Sequence, residues 1–121
     1  MDALCGAMVR EFPEIVTYKE IGKSYEGKPI RGYIFMNRKK VTEKNNSFEE
    51  EAKKRPGIFI NGAHHPRELT SISMCVYIML KLLHTWSNRT DADYLLAELI
   101  DTRSVVYVVP IVNIDGVRYM S

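Results

Sequence analysis

The chain has 121 residues, 45% hydrophobic and 26% charged, enough for one small domain with a hydrophobic core and too apolar for a wholly disordered chain. Its formal net charge of +2, with Lys and Arg interspersed among Glu, offers no basic face to a nucleic-acid partner. Met1-Asp2-Ala3-Leu4 opens on an acid and reads as no secretory leader, and the most apolar stretch, Ile72 to Leu83, is interrupted by Lys81 and falls short of the roughly 20 residues that span a bilayer, so no membrane segment is expected.

Residues Ala3 to Glu11 read as a helix that Phe12-Pro13 ends. Ile15 to Ile21 is β-branched and aromatic, a strand signal, and Ile30 to Met36 repeats it. Between them Gly22-Lys23-Ser24-Tyr25-Glu26-Gly27-Lys28-Pro29 is a turn, so the pair is expected to be a hairpin. Arg38 to Arg55 mixes charges with few apolar anchors and reads as a solvated loop with at most a short helical piece. Gly57-Ile58-Phe59-Ile60 is a continuous apolar run, the pattern of a strand buried on both faces.

Asn61 to Glu68 is a turn, and Thr70 to Trp86 follows as a helix. Ile72, Val76, Met79, Leu80 and Leu83 recur at helical spacing, and further apolar residues around the circumference imply deep burial. A second helix is expected over Asp91 to Asp101, with Tyr94, Leu95 and Leu99 as its apolar side. Ser104 to Val109 is another valine-rich strand, and Pro110 to Gly116 is its exit. Strand, helices and strand predict a crossover with Gly57–Asn61 and Ser104–Val109 parallel, so the fold class is α/β with a mixed β-sheet and flanking helices. Cys5 and Cys75 make no disulfide framework, and Cys75 reads as a buried inert thiol. The triplets starting at Asn45 and Asn88 have the glycosylation pattern, which also arises often by chance.

In an open α/β sheet, ligands bind beyond the carboxyl ends of the strands. His65-Pro66-Arg67-Glu68 lies there, with an imidazole and a carboxylate one helical turn apart, able to face one coordination sphere. A catalytic zinc takes three protein ligands of the His and carboxylate type, and this segment can supply two. On the bare motif, the alternative is ordinary capping by Glu68 and a surface histidine in a loop. His64 reads as a support behind the ligands or as loop packing, and His84, within a helix, as a surface residue or ordinary packing.

The surroundings add weight. Gly22 to Pro29, then Asn61 to Glu68, then Pro110-Ile111-Val112-Asn113-Ile114-Asp115-Gly116 occur in an order that resembles the zinc metallocarboxypeptidases of the pancreatic and microbial secreted type. His65 to Glu68 is similar to that family's His-x-x-Glu zinc motif. Asn113 to Gly116 resembles its Asn-Pro-Asp-Gly turn, with Ile114 for the proline. Gly22 to Pro29 resembles its Gly-Lys-Ser-x-Glu-Gly-Arg-Pro hairpin, with Lys28 for the arginine.

The resemblance implies zinc (Zn2+) held by His65 and Glu68, Arg67 lining the substrate cleft, a peptide or protein C-terminus as substrate, and secretion. It assigns no catalytic residue to this chain and gives Asp115 a structural role in the wall of the site. It also implies that the third ligand (a histidine), the general base and the carboxylate-binding arginine come from beyond Gly116. The chain is therefore expected to be the N-terminal part of a peptidase catalytic domain, a truncated form of the zinc carboxypeptidase (phosphorylase/hydrolase-like) fold that is inactive alone. A non-catalytic remnant or binding domain of the same fold is the alternative. Pro66 would suit the tubulin-deglutamylating branch, but Arg67 and the Gly22 to Pro29 hairpin argue against it.

Overall fold

A computed structural model of the chain describes residues 2–43, 47–88 and 94–120. The Asn45 triplet, the end of the Asn88 triplet and the first three positions of the expected second helix fall largely or wholly outside them.

Helix α1 (Asp2–Glu11) buries Cys5 and Met8 and leads into the hairpin of β1 (Val16–Lys23) and β2 (Pro29–Phe35). These strands pair antiparallel from Val16 opposite Phe35 to Lys23 opposite Pro29, with a bulge at Ile21. At the tip Gly27 takes φ 81°, a conformation that glycine adopts without a Cβ penalty. Period-2 alternation then sorts the side chains. Tyr33 and Phe35 join Val106 and Val108 in the larger core, whereas Ile34 and Met36 turn to a smaller one with Val105 and Tyr107.

The 38–55 segment is a correction: it holds two helices, α2 (Arg38–Glu43) and α3 (Phe48–Lys54), that cover the second face of the sheet. Its charges are ordered along α3 rather than merely mixed. Ser47 Oγ accepts from the Glu50 N–H, Glu49 to Glu51 occupy the first turn, and Lys53 and Lys54 the last, all favourable to the helix dipole. Val41 is buried, and the Arg38 guanidinium lies 4.9 Å from the centre of the Phe48 ring.

Strand β3 (Gly57–Asn61) and strand β4 (Val105–Val109) pair parallel from Gly57 opposite Val105 to Asn61 opposite Val109, as the crossover reading predicts. The sheet order is β1-β2-β4-β3, so the sheet is mixed. Its outermost position leaves β3 far from buried on both faces: Phe59 is 61% exposed. Apolar composition signals burial only where a neighbour covers the strand, and no other strand pairs with β3 among the described residues.

Helix α4 (Leu69–Ser87) crosses between them. Cys75, Met79, Leu82 and Leu83 pack on the sheet, but Met74, Tyr77 and Leu80 are exposed, so one side of the helix is buried rather than its whole circumference. With 19 residues and a mean hydropathy of 1.2 it is long and apolar enough, by length and composition alone, to cross a membrane. Its inner side is committed to the core instead. Helix α5 (Tyr94–Glu98) continues into a π-helical turn over Leu99–Arg103. Its inward residues are Ala97 and Ile100, whereas Tyr94 and Leu95, expected on the apolar side, are exposed.

The amino ends of β3 and β4 are locked by a buried polar cluster. Arg55, just before β3, donates from Nε to Glu51 Oε1 at 3.1 Å and from its two terminal nitrogens to the carbonyls of Ile100, Asp101 and Ser104. Those carbonyls lie in and just after the π-helical turn, and that of Ile100 accepts from the Asn37 N–H as well, at 2.8 Å. Beside them Asp101 Oδ1 accepts from Asn37 Nδ2 at 2.8 Å and from the Trp86 indole at 3.2 Å.

Candidate metal centre

The opposite, carboxyl ends of β3 and β4 carry the site. The two exiting segments continue to bond to each other: Gly62 N–H donates to the Val109 carbonyl, Val112 N–H to that of Gly62, and Asn113 N–H to that of Ala63, each at 3.0 Å. Gly62 is required by contact. A Cβ there would lie 2.9 Å from the Ser71 carbonyl oxygen and 3.1 Å from both Cys75 Sγ and the Pro110 carbonyl oxygen. Ala63 then turns the chain with φ 55°, in the left-handed region.

Beyond this turn the loop is tied through its backbone. The Glu68 N–H donates to the His65 carbonyl at 3.1 Å, closing one turn between the two expected ligands. Ser71 braces that turn from the first residues of α4. Its Oγ donates to the Glu68 carbonyl at 2.7 Å and accepts from the Ala63 N–H at 2.8 Å. The His64 side chain is exposed, with its ring nitrogen Nε2 bonded to Asn61 Oδ1.

The side chains of His65, Arg67 and Glu68 are all exposed, and among the described residues they make no hydrogen bond or ion pair. Glu68 occupies the N-cap position of α4 but makes no side-chain capping bond, so the capping alternative does not use its carboxylate. The donor chemistry fits zinc as far as it extends: one imidazole and one carboxylate, uncommitted, on a backbone-braced turn. No group of three or more His, Cys, Asp or Glu residues is gathered among the described residues.

The Asn113–Gly116 segment is more than an exit turn, since helix α6 (Ile114–Met120) begins inside it. Asp115 receives the hairpin tip: its two carboxylate oxygens accept from Ser24 Oγ at 2.7 Å and from the Glu26 N–H at 3.1 Å. Desolvation alone would push the Asp115 carboxyl up, but these two hydrogen bonds, with Lys28 nearby, outweigh it and hold the group below its ordinary value. Asp115 is thus a structural acceptor that joins two segments 91 positions apart. The order of these motifs along the chain does not by itself show that they touch; the Ser24 hydroxyl and the Asp115 carboxylate are the complementary groups that join them. His84 is exposed on α4, and burial pushes the Cys75 thiol up, in keeping with an inert side chain.

The sequence profile of the zinc carboxypeptidases matches residues 1–121. The chain belongs to the zinc carboxypeptidase family. It is 32% identical over 107 residues to carboxypeptidase B of Rattus norvegicus, a match covering 88% of this chain and 21% of the rat protein. It is 34% identical over 109 residues to carboxypeptidase B of Helicoverpa zea, covering 90% of this chain and 21% of that protein. The chain therefore spans about a fifth of the length of these two curated relatives. Among solved structures, thrombin-activatable fibrinolysis inhibitor superposes with a TM-score of 0.72 at 21% identity, covering 98% of this chain and 25% of that one. The bovine form in complex with tick carboxypeptidase inhibitor gives 0.70 at 20% identity, covering 98% and 31%. These likenesses carry the fold, which is that of the corresponding part of the carboxypeptidases.

Proposed function

We propose that residues 1–121 form the N-terminal part of the catalytic domain of a zinc-dependent metallocarboxypeptidase, which hydrolyses C-terminal residues from peptides or proteins. His65 and Glu68 are its zinc ligands from this segment, and Arg67 lines the substrate cleft. The observation that carries this reading is the uncommitted His65–Glu68 pair on a braced turn at the carboxyl ends of two parallel strands, within a chain of this family. When bound, zinc supplies a Lewis acid that polarises a carbonyl and acidifies water.

The residues of this chain have the supporting tasks. His65 offers an imidazole and Glu68 a carboxylate, on the two ends of one backbone-closed turn. Arg67, between them, presents an exposed guanidinium with the fork geometry suited to a carboxylate or a polarised carbonyl oxygen. The third ligand, general base and carboxylate clamp are assigned to the remainder of the enzyme.

Purified residues 1–121 are expected to bind zinc weakly and to show no carboxypeptidase turnover. A longer polypeptide that adds the downstream histidine and glutamate should release C-terminal residues from peptides, and a chelator should abolish this. Glu68→Ala in that longer protein should lower metal occupancy and activity together. Full activity with Glu68 replaced would overturn the assignment.

A further inference from the structure

One side chain reaches the 61–68 loop from a distant part of the sequence. Asn113 Nδ2 donates to the His64 carbonyl, 49 positions away, at 3.2 Å, while Asn113 Oδ1 accepts from the Gly116 N–H at 3.0 Å. The amide cannot be flipped without setting oxygen against oxygen and N–H against N–H, so both contacts share one orientation. Gly116 makes room for it. A Cβ at that position would lie 2.7 Å from Nδ2 and 2.9 Å from Oδ1.

Capping of α6 accounts for the bond to Gly116 and leaves the bond to His64 unexplained, since a cap needs only the oxygen. The His64 carbonyl belongs to the planar peptide that leads directly into His65. Holding that plane sets the direction in which the His65 side chain leaves the backbone. We infer that Asn113 is a positioning residue for the His65–Glu68 zinc site, acting through the His64 peptide, and that Gly116 is the space that lets it do so. This inference rests on the zinc reading above.

Asn113→Asp separates the two roles, because aspartate caps a helix as well as asparagine but cannot donate to the His64 carbonyl. In residues 1–121, Asn113→Asp should keep the wild-type melting temperature to within a few degrees yet weaken zinc binding about tenfold or more in calorimetric titration. The added negative charge would by itself strengthen attraction for a cation, so weakening cannot come from charge. Hydrogen exchange, read without metal, should be faster at the Glu68 amide and unchanged at those of β4. Gly116→Ala should reproduce both effects by displacing the Asn113 amide. Wild-type exchange at Glu68 in both variants would overturn the positioning role. Zinc binding unaffected by His65→Ala would instead overturn the zinc reading, and the metal-free exchange would still decide on Asn113.

Discussion

The two ends of the parallel pair β3 and β4 are built by opposite means. At the amino ends, side chains do the fastening: Arg55 spans Glu51 and three carbonyls in the interior, and Asp101 gathers the buried Asn37 and the half-buried Trp86. At the carboxyl ends, backbone bonds and the short side chains of Ser71 and Asn113 do the fastening, and the side chains of His65, Arg67 and Glu68 project unused. One end spends its polar groups on stability. The other leaves them available to a ligand. Substitutions should therefore separate the two: at the amino end they should cost stability, and at the carboxyl end they should cost binding with the fold intact.

The largest effect is expected from Arg55→Met. Glu51 would remain buried without its bond to Arg55, and the carbonyls of Ile100, Asp101 and Ser104 would each lose the bond from that guanidinium. Removing one side of a buried pair costs about 3–5 kcal/mol, which urea denaturation would register as a large fall in midpoint. The double variant Arg55→Met with Glu51→Leu should recover part of the loss. If the double variant were less stable than Arg55→Met alone, the buried charge would not be the source of the cost.

Gly62→Ala tests the boundary where backbone packing takes over. Its Cβ would press on two carbonyl oxygens and a sulfur, and overpacking of this kind costs about 1–3 kcal/mol. A melting temperature equal to that of the wild type would show that α4 can move away from the strand end. His65→Ala and Glu68→Ala should stay within about 0.5 kcal/mol of wild type, as exposed substitutions generally do, while zinc affinity falls in titration. A large loss of stability in either would place these side chains in the scaffold and erase the contrast.

The smallest effect concerns pH. The folded Asp115 carboxyl lies below its ordinary value of 3.8, so its bonds to Ser24 and Glu26 contribute fully above that value and are lost as pH falls through the lowered one. Stability measured across this acidic range should decline less steeply in Asp115→Asn than in wild type. Identical slopes would show that the hairpin tether carries no linkage.

What could be read from residues alone divides along the same line. The hairpin, the α4 crossover and the parallel strands were legible because hydrophobic period and turn residues report local backbone geometry. The His-x-x-Glu spacing coincides with a hydrogen-bonded turn that precedes α4, closed by the bond from the Glu68 N–H to the His65 carbonyl. The 38–55 segment misled because its stabilising features are capping, charge order and one buried ion pair, none of which raises apolar periodicity. Exposure of β3 misled for a different reason: composition records what a strand can bury against, not whether a neighbour lies there. The contacts of Asn113 and Asp115 join residues tens of positions apart, and no local pattern encodes such a partner.

That separation bears on the order of assembly. A contact across 91 positions closes a long loop, whose entropy must be met before the bond returns anything. The β1–β2 hairpin can form as soon as its own residues are available, but its tip has no acceptor until Asp115 has been placed. During synthesis from the amino end, the His65 loop would emerge well before Asn113 and wait without its brace. The 65–68 turn should then be among the last parts of this segment to acquire fixed geometry, gaining it only when α6 docks.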